Sequence, residues 1–171
     1  MTTLTTYRAQ VLTIVRTVLA SRLTFAWIRP SWVMATIEVE SSFQPLAVNT
    51  AGRLDGLMQV IPTTVTQVQQ AYSLGALLPQ TDPHTSITCG SCVLDWTARK
   101  LIADWTAAGD LQPGEGIPVS AVIEGYNEGE AAAEKGIMVP KYWGDWDAAA
   151  SVFSVDGVDG SALAIKVIPH G

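Results

Sequence analysis

The chain has 171 residues, of which 48% are apolar and 15% are charged, and this composition excludes an intrinsically disordered protein. The length suits one domain with a substantial hydrophobic core rather than two domains. The formal net charge of −6 provides no attraction to nucleic acid or to anionic membranes, so nucleic-acid binding is set aside as a primary role.

The first predicted helix covers roughly residues 4–23, because its apolar side chains recur at helical spacing. These apolar positions are Leu4, Val11, Ile14, Val15, Val18 and Leu19. The longest apolar run of the chain begins in this segment, but Arg16 and Arg22 interrupt it and argue against a membrane span. The polar start MTTLTTYRAQ resembles no secretory signal, so we expect a protein without stable membrane insertion.

Further helices are predicted along the chain, with ends set by proline and glycine. The second begins after Pro30 and runs to about Phe43, because Pro45 follows. The remaining predicted helices cover approximately residues 62–72, 85–107, 118–126 and 141–153. Strand signals are sparse, and the C-terminal tail, residues 154–171, is expected to hold one short extended segment. The predicted fold class is therefore mainly α.

Cys89 and Cys92 form a single C-x-x-C pair, which is half of a zinc site at best. His84 and His170 complete no metal-binding spacing with this pair. We interpret the two cysteines as small buried residues one helical turn apart. A local disulfide in an oxidising compartment is the alternative.

The second predicted helix, WVMATIEVESSFQP, is apolar on most sides and yet carries two carboxylates, Glu38 and Glu40. Residues two positions apart on a helix point in different directions, so at most one of them can face a given cleft. Glu40 lies in the last turn, where the helix dipole and apolar surroundings would both raise its pKa. Such a carboxyl group can act as a general acid, although Glu40 could equally be hydrogen-bonded to a loop.

Two other segments combine apolar and polar side chains with glycine. The segment GLMQ, residues 56–59, follows a loop of turn-forming residues and by itself predicts only the start of a short buried helix. Tyr126 and Asn127 end the apolar helix VSAVIEG, next to glycines that permit close approach. Taken alone, these two residues are best interpreted as a packed ring and a helix cap.

Together, the motifs E-S-x-F at 40–43, G-L-M-Q-x-x-P-x-T at 56–64 and Y-N-x-G at 126–129 resemble a known enzyme family. This family is the soluble lytic transglycosylase (SLT) catalytic domain of the goose-lysozyme superfamily. A fourth similar stretch contains Asp82, Pro83, Ile87, Gly90 and Leu94. The resemblance covers about residues 25–145 and implies a single lysozyme-like helical domain over 1–171, with a sugar-binding cleft.

The resemblance implies that the substrate is peptidoglycan and that the bond cleaved is the β-1,4 link from N-acetylmuramic acid to N-acetylglucosamine. Glu40 matches the catalytic acid/base of the family. It would protonate the leaving oxygen and then accept a proton from the C6 hydroxyl of muramic acid, which closes onto C1. The product is a 1,6-anhydro sugar, and one carboxylate suffices, unlike in most glycosidases. The resemblance further implies that no metal or cofactor is needed.

The resemblance also assigns Tyr126 to catalysis, as the residue that hydrogen-bonds to Glu40 and orients it. The matched substrate-binding positions are Ser41, Gly56, Met58, Gln59 and Asn127. The serine would support the catalytic end of its helix, and the methionine and glutamine would line the sugar cleft. The glycine would let the backbone approach a saccharide, and the asparagine would help to hold the corner at Tyr126.

The sequence departs from the family pattern in three places. The loop before GLMQ is one residue longer than is usual and includes Asp55. Asn49 stands where the family often has serine, and Glu128 replaces a small residue. Glu128 could raise the pKa of Glu40 or hold a water as a base, although a solvent-facing position at a helix start is the favoured interpretation.

The first hypothesis is a lytic transglycosylase, and the small chain without an apparent signal or wall-binding module suggests a phage endolysin or virion-associated lysin. We expect a monomer that acts on glycan strands of the bacterial wall, after synthesis in the host cytoplasm and release or carriage on a virion. A muramidase on the same fold is the first alternative, with Glu128 or Asp55 as its second carboxylate. A non-catalytic wall-binding or structural virion component is the second, and the presence of Glu40 and Tyr126 counts against it.

Overall fold

The computed structural model describes residues 4–48, 56–112, 115–128, 140–155 and 166–167. Its described part contains six α-helices, which confirms the prediction of a mainly α fold. The helices are α1 (Leu4–Ala20), α2 (Pro30–Ser41), α3 (Pro62–Ala71), α4 (Pro83–Ala108), α5 (Val119–Glu128) and α6 (Pro140–Val155). None of them is long and apolar enough to cross a membrane.

The remaining regular structure is short. A turn of 3-10 helix, Leu23–Phe25, follows α1. Strands β1 (Ile117–Pro118) and β2 (Lys166–Val167) pair in antiparallel fashion, with Ile117 opposite Val167. The predicted extended segment of the tail is therefore present as β2.

Proline and capping residues set the helix ends, as the sequence indicates. Pro30, Pro62 and Pro83 lie in the first turns of α2, α3 and α4, where the missing N–H group costs nothing. The side chain of Asp82 caps α4 by accepting a hydrogen bond from the N–H of Thr85 at 2.8 Å.

Helix α2 ends two residues before the predicted position. Ser42 and Phe43 both adopt left-handed conformations, with φ of 49° and 61°, so the helix stops at Ser41. Phe43 is buried against the ring of Phe153, and its ring also lies under the guanidinium of Arg8. Tertiary packing of Phe43 accompanies a backbone conformation that the local sequence does not favour.

The core is centred on α2 and α4. Helix α2 packs against α6 and α1, and α4 packs against α1, α3 and α5. Nearly the whole first two-thirds of α2 is buried, including Val33 and Ile37, which have no exposed surface. A helix buried on all sides can hold a polar side chain only where it has a partner or a function.

Cys89 and Cys92 lie in the core as free thiols on α4, which confirms that they are small buried residues. Burial is the main cause that raises the pKa of the Cys92 thiol to about 12. A thiol with this pKa is almost entirely protonated at neutral pH and is therefore a poor nucleophile.

Asp95 on α4 is completely buried and joins three parts of the fold. Its Oδ1 accepts a hydrogen bond from Trp27 Nε1 at 2.7 Å, and its Oδ2 accepts from Tyr72 Oη and from Arg99 Nε, both at 2.8 Å. This carboxylate therefore ties the segment after α1 and the end of α3 to α4.

Replacement of Asp95 by asparagine is expected to destabilise the protein by about 2–4 kcal/mol, because an amide cannot accept all three bonds and leaves Arg99 without its anionic partner. Urea unfolding measures the loss. The control is Asp104→Asn on the same helix, where the ion pair with Lys100 is 41% exposed on both sides and should contribute less than about 0.5 kcal/mol. Equal losses in the two variants would contradict the role of Asp95.

Candidate active site

A cavity of about 610 Å³ lies between the end of α2, the turn that begins at Gly56, and helices α3, α4 and α5. Four of the residues predicted from the sequence lie on its wall together: Glu40, Gln59, Tyr126 and Asn127. These residues come from three separate parts of the chain, so the fold brings the three motifs to one place. The volume falls within the range of about 300–1,000 Å³ that is typical of ligand sites.

Glu40 is the second-last residue of α2 and lines this cavity. Burial raises the pKa of Glu40, and a hydrogen bond from Tyr142 partly offsets that rise. The Tyr142 hydroxyl donates to Glu40 Oε1 at 2.6 Å. The carboxyl group is therefore both held in one orientation and shifted toward its protonated form.

Glu38 has a different environment, as the helical spacing predicts. Its carboxylate pairs with Arg8 on α1, and it does not line the cavity. The prediction that at most one of the two carboxylates of α2 faces the cleft is confirmed.

Tyr126 lies beside Glu40, but its hydrogen bond differs from the predicted one. Its hydroxyl donates to the backbone carbonyl of Met58 at 2.5 Å, which commits its single proton. Burial first, and then the charge on Glu40, raise the pKa of Tyr126 well above its ordinary value. The predicted hydrogen bond from Tyr126 to Glu40 is therefore wrong. Tyr142 is the residue that donates to Glu40.

Tyr142 is the residue of this site that sequence reasoning missed. It lies in the first turn of α6, and 102 residues separate it from its partner Glu40. Burial and the charge on Glu40 raise its pKa, and the charge on the buried Glu124 of α5 adds to this rise. The sequence gives only a weak signal for Tyr142, one tyrosine in the aromatic segment YWGDW.

Gly56 is required by the backbone of its turn. Its φ is +80°, and a Cβ atom placed there would lie 1.9 Å from the carbonyl oxygen of Gln80. The close approach at this glycine is made to the chain itself, and Gly56 does not line the cavity. An approach to a sugar stays a prediction. The turn GLMQ is pressed against the loop before α4.

Met58 does not line the cavity, contrary to prediction. Its side chain is completely buried and covers Gly90 of α4, where an added Cβ would lie 2.3 Å from the methionine sulfur. Its backbone N–H donates to Ser86 Oγ at 3.0 Å, while its carbonyl accepts from Tyr126. Met58 therefore serves the site through its backbone, because its apolar side chain is drawn into the core.

Gln59 lies on the cavity wall as predicted, and its side chain also braces the turn. Its Nε2 donates to the carbonyl of Gly56 at 2.7 Å and to the carbonyl of Ala47 at 2.9 Å. The φ of Gln59 is +49°, a strained value for a residue with a side chain. Both amide hydrogens are used within the protein, so the remaining carbonyl oxygen is the group available to a ligand.

Ser41 and Asn127 complete the predicted set. Ser41 is buried and donates to the carbonyl of Ile37 at 3.0 Å, a position that supports the end of α2 without lining the cavity. Asn127 lies on the cavity wall next to Tyr126. Asn49, Asp55 and the side chain of Glu128 lie outside the described residues.

The described residues hold no group of three or more histidine, cysteine or acidic side chains that could bind a metal ion. Among the described residues that line the cavity, Glu40 is the one carboxylic acid. This arrangement can transfer a proton through the partly desolvated carboxyl group of Glu40.

Comparisons with known proteins found a matching family model and a solved structure of similar fold. The family model "Transglycosylase SLT domain" matches residues 25–142. A comparison with curated proteins found no significant match. The crystal structure of the 70 kDa soluble lytic transglycosylase Slt70 from Escherichia coli is similar, with a TM-score of 0.56 and 19% identity.

The similarity to Slt70 covers 91% of this chain and 27% of that one, so the chain spans about a quarter of the length of that protein. At this level of identity the likeness shows a shared fold, which confirms the predicted lysozyme-like architecture. The family model spans well over half of the chain, including Glu40, the GLMQ turn, Tyr126 and Tyr142. The chain therefore belongs to the transglycosylase SLT domain family.

Proposed function

We propose that the protein cleaves the β-1,4 bond from N-acetylmuramic acid to N-acetylglucosamine in peptidoglycan, with Glu40 as its single general acid/base and a 1,6-anhydro sugar as its product. The observation that carries this proposal is the position of Glu40. It lies on the wall of a ligand-sized cavity, and its carboxyl group is oriented by a hydrogen bond from Tyr142. Burial raises its pKa, so that it can hold the proton that the first step needs.

In the first step, protonated Glu40 gives its proton to the glycosidic oxygen as the bond from C1 to that oxygen breaks. Positive charge then develops at C1 of the muramic acid, next to the new carboxylate. Glu40 Oε1 accepts the bond from Tyr142, so we assign the proton transfer to Oε2. The Tyr142 hydroxyl stabilises the carboxylate at the moment it forms, because hydrogen bonds to a charged acceptor are stronger.

In the second step, the Glu40 carboxylate accepts the proton of the C6 hydroxyl, and the C6 oxygen forms a bond to C1. Glu40 is thereby returned to its protonated state, and no water is consumed. A hydrolase would instead need a water activated by a base. That Glu40 is the only carboxylic acid among the described lining residues supports the mechanism with one carboxylate.

The experiment that tests this function is mass spectrometry of the soluble products from purified peptidoglycan. We expect anhydro-muropeptides, which are one water lighter than the products of hydrolysis. Reducing-end muropeptides would instead identify a muramidase, and no soluble product would favour a wall-binding component. The expectation of a phage lysin stays a prediction.

Replacement of Tyr142 by phenylalanine is expected to lower kcat about tenfold, because Glu40 loses the donor that orients it and stabilises its charge. The bond from Tyr142 lowers the pKa of Glu40, so its loss raises that pKa further. In the pH profile of kcat/KM, activity falls on the high-pH side as Glu40 loses its proton. This limb should therefore move to higher pH in the variant. A pH–rate profile of wild type and variant measures both effects.

Tyr126→Phe is the matched control, since it removes a hydroxyl from the same cavity region without removing a hydrogen bond to Glu40. This variant leaves the buried carbonyl of Met58 without its donor, so we expect a loss of about 1–2 kcal/mol in stability and a slower reaction. Its pH–rate profile should keep the position of the wild-type limb. If the limb moved in Tyr126→Phe but not in Tyr142→Phe, Tyr126 and not Tyr142 would be the tyrosine that orients Glu40.

A further inference from the structure

A second cavity, of about 650 Å³, adjoins the candidate active site and contains three cationic side chains, Arg22, Arg99 and Lys100. We call it the basic cavity. Its other walls include Trp96 and the end of α3 at Tyr72. Trp96 and Lys100 also line the active-site cavity, so the two cavities meet along this face of α4.

The charge of the basic cavity is opposite to that of the whole chain. The chain has a net charge of −6 and only ten lysines and arginines, yet three of them line this one cavity. Two carboxylates face these cations: Asp95 bonds to Arg99, and Asp104 bonds to Lys100. Three positive and two negative groups leave a local charge of +1, which favours an anionic ligand.

The two arginines are held in place before any ligand arrives. Arg99 donates its Nε to the buried Asp95 at 2.8 Å, and Arg22 donates Nη1 to the backbone carbonyl of Tyr72 at 3.0 Å. Each guanidinium carries further N–H groups in a planar fork that suits a carboxylate. Because these side chains are already oriented, little conformational entropy is lost when an anion binds.

We propose that the basic cavity binds a carboxylate of the peptide stem that peptidoglycan carries on its muramic acid. This proposal rests on the proposed function. Along α3, Thr64 lines the active-site cavity and Ala71 lines the basic cavity, a separation of about 10 Å at the helical rise per residue. An extended peptide of about three residues spans this distance, so a stem attached to a sugar in the active site reaches the arginines. Trp96, at the junction, offers an apolar face to the stem.

The test compares two substrates: glycan strands that keep their peptide stems, and strands from which an amidase has removed them. Arg22→Glu is expected to lower kcat/KM about tenfold on stem-bearing strands and to change it less than twofold on stem-free strands. Arg22→Lys should retain most of the activity on both. Arg16→Glu makes the same change of charge at an exposed position of α1 that lines neither cavity, and it should match the wild type.

Equal losses on both substrates, or no loss on either, would overturn the stem assignment. Thermal unfolding of each variant shows whether it is folded, and if Arg22→Glu is not, the peptide titration decides. In that titration, wild-type protein should bind a free stem peptide at least tenfold more tightly than its fully amidated form. Equal affinity for the two peptides would refute the proposal. Tighter binding of glycerol phosphate than of the stem peptide would also refute it, because the cavity would then prefer a phosphate to a carboxylate.

Failure of the proposed function gives a different pattern. Wild-type protein that cleaves neither kind of strand would refute the transglycosylase activity. The peptide titration needs no turnover, so it would still decide whether the basic cavity binds the carboxylates of the stem.

Discussion

Turnover of peptidoglycan by Glu40→Gln is expected to fall by about 10³-fold or more, while glycan binding stays within a few-fold of the wild type. Glutamine has nearly the same shape as glutamic acid, and its carbonyl oxygen can still accept the hydroxyl of Tyr142. Its amide cannot, however, give a proton to the leaving oxygen or take one from the C6 hydroxyl. Release of soluble muropeptides measures the rate, and calorimetric titration with glycan fragments measures the binding.

The same substitution should stabilise the protein at neutral pH. Burial raises the pKa of Glu40 above its ordinary value of 4.5, so ionisation of this group costs more in the folded than in the unfolded state. The stability that neutral Glu40 contributes is fully present below the unfolded pKa and declines as pH rises toward the folded pKa. The Tm of Glu40→Gln should therefore exceed that of the wild type at pH 7, and the difference should vanish near pH 4.

Glu38→Gln is the matched control on the same helix. It removes a half-exposed ion pair with Arg8, with side chains 37% and 32% exposed, so the expected change in stability is below about 1 kcal/mol. The rate should stay close to that of the wild type, because Glu38 lies outside the cavity. Equal loss of activity in the two variants would mean that the wrong carboxylate has been assigned.

The helices can be predicted from the sequence because their signals are local. Apolar spacing marks α1, and Pro30 and Pro62 mark the starts of α2 and α3, as the structure has them. Helix α4 begins at Pro83, two residues before its predicted start. The predicted end of α2 lies too late because the true end depends on the burial of Phe43 against Phe153, 110 residues further along the chain. No property of the segment around Phe43 indicates that contact.

The site can likewise be predicted only where its signals are local. A carboxylate in a buried helix is a local anomaly, and it draws attention to both Glu38 and Glu40. The resemblance of the motif E-S-x-F to the SLT family then selects Glu40. The partner of Glu40 depends on how α6 packs against α2, which helical periodicity does not determine, and so the sequence does not indicate Tyr142. Likewise, the apolar side chain of Met58 can face either a ligand or the core, and only the contact with Gly90 decides between them.

Replacement of Gly56 by alanine is expected to destabilise the protein by about 3 kcal/mol or more. Two costs combine: the left-handed φ of +80°, and a Cβ placed 1.9 Å from the carbonyl oxygen of Gln80. That oxygen belongs to the backbone and cannot rotate away, so the turn must move. Movement of the turn displaces Gln59, which bonds to the Gly56 carbonyl, and the Met58 carbonyl that accepts from Tyr126. Activity should therefore fall even in the fraction that stays folded.

Gly109→Ala separates the two costs, because Gly109 has nearly the same φ of +83° with no atom within 4 Å of the added Cβ. It should lose only the strain of about 1–2 kcal/mol, with full activity. Gly75→Ala, which also has open space but no left-handed φ, should be close to neutral. Urea unfolding of the three variants measures the costs. If Gly56→Ala loses no more than Gly109→Ala, the turn can yield at Gln80, and the GLMQ segment would not hold the wall of the active site by contact with the loop before α4.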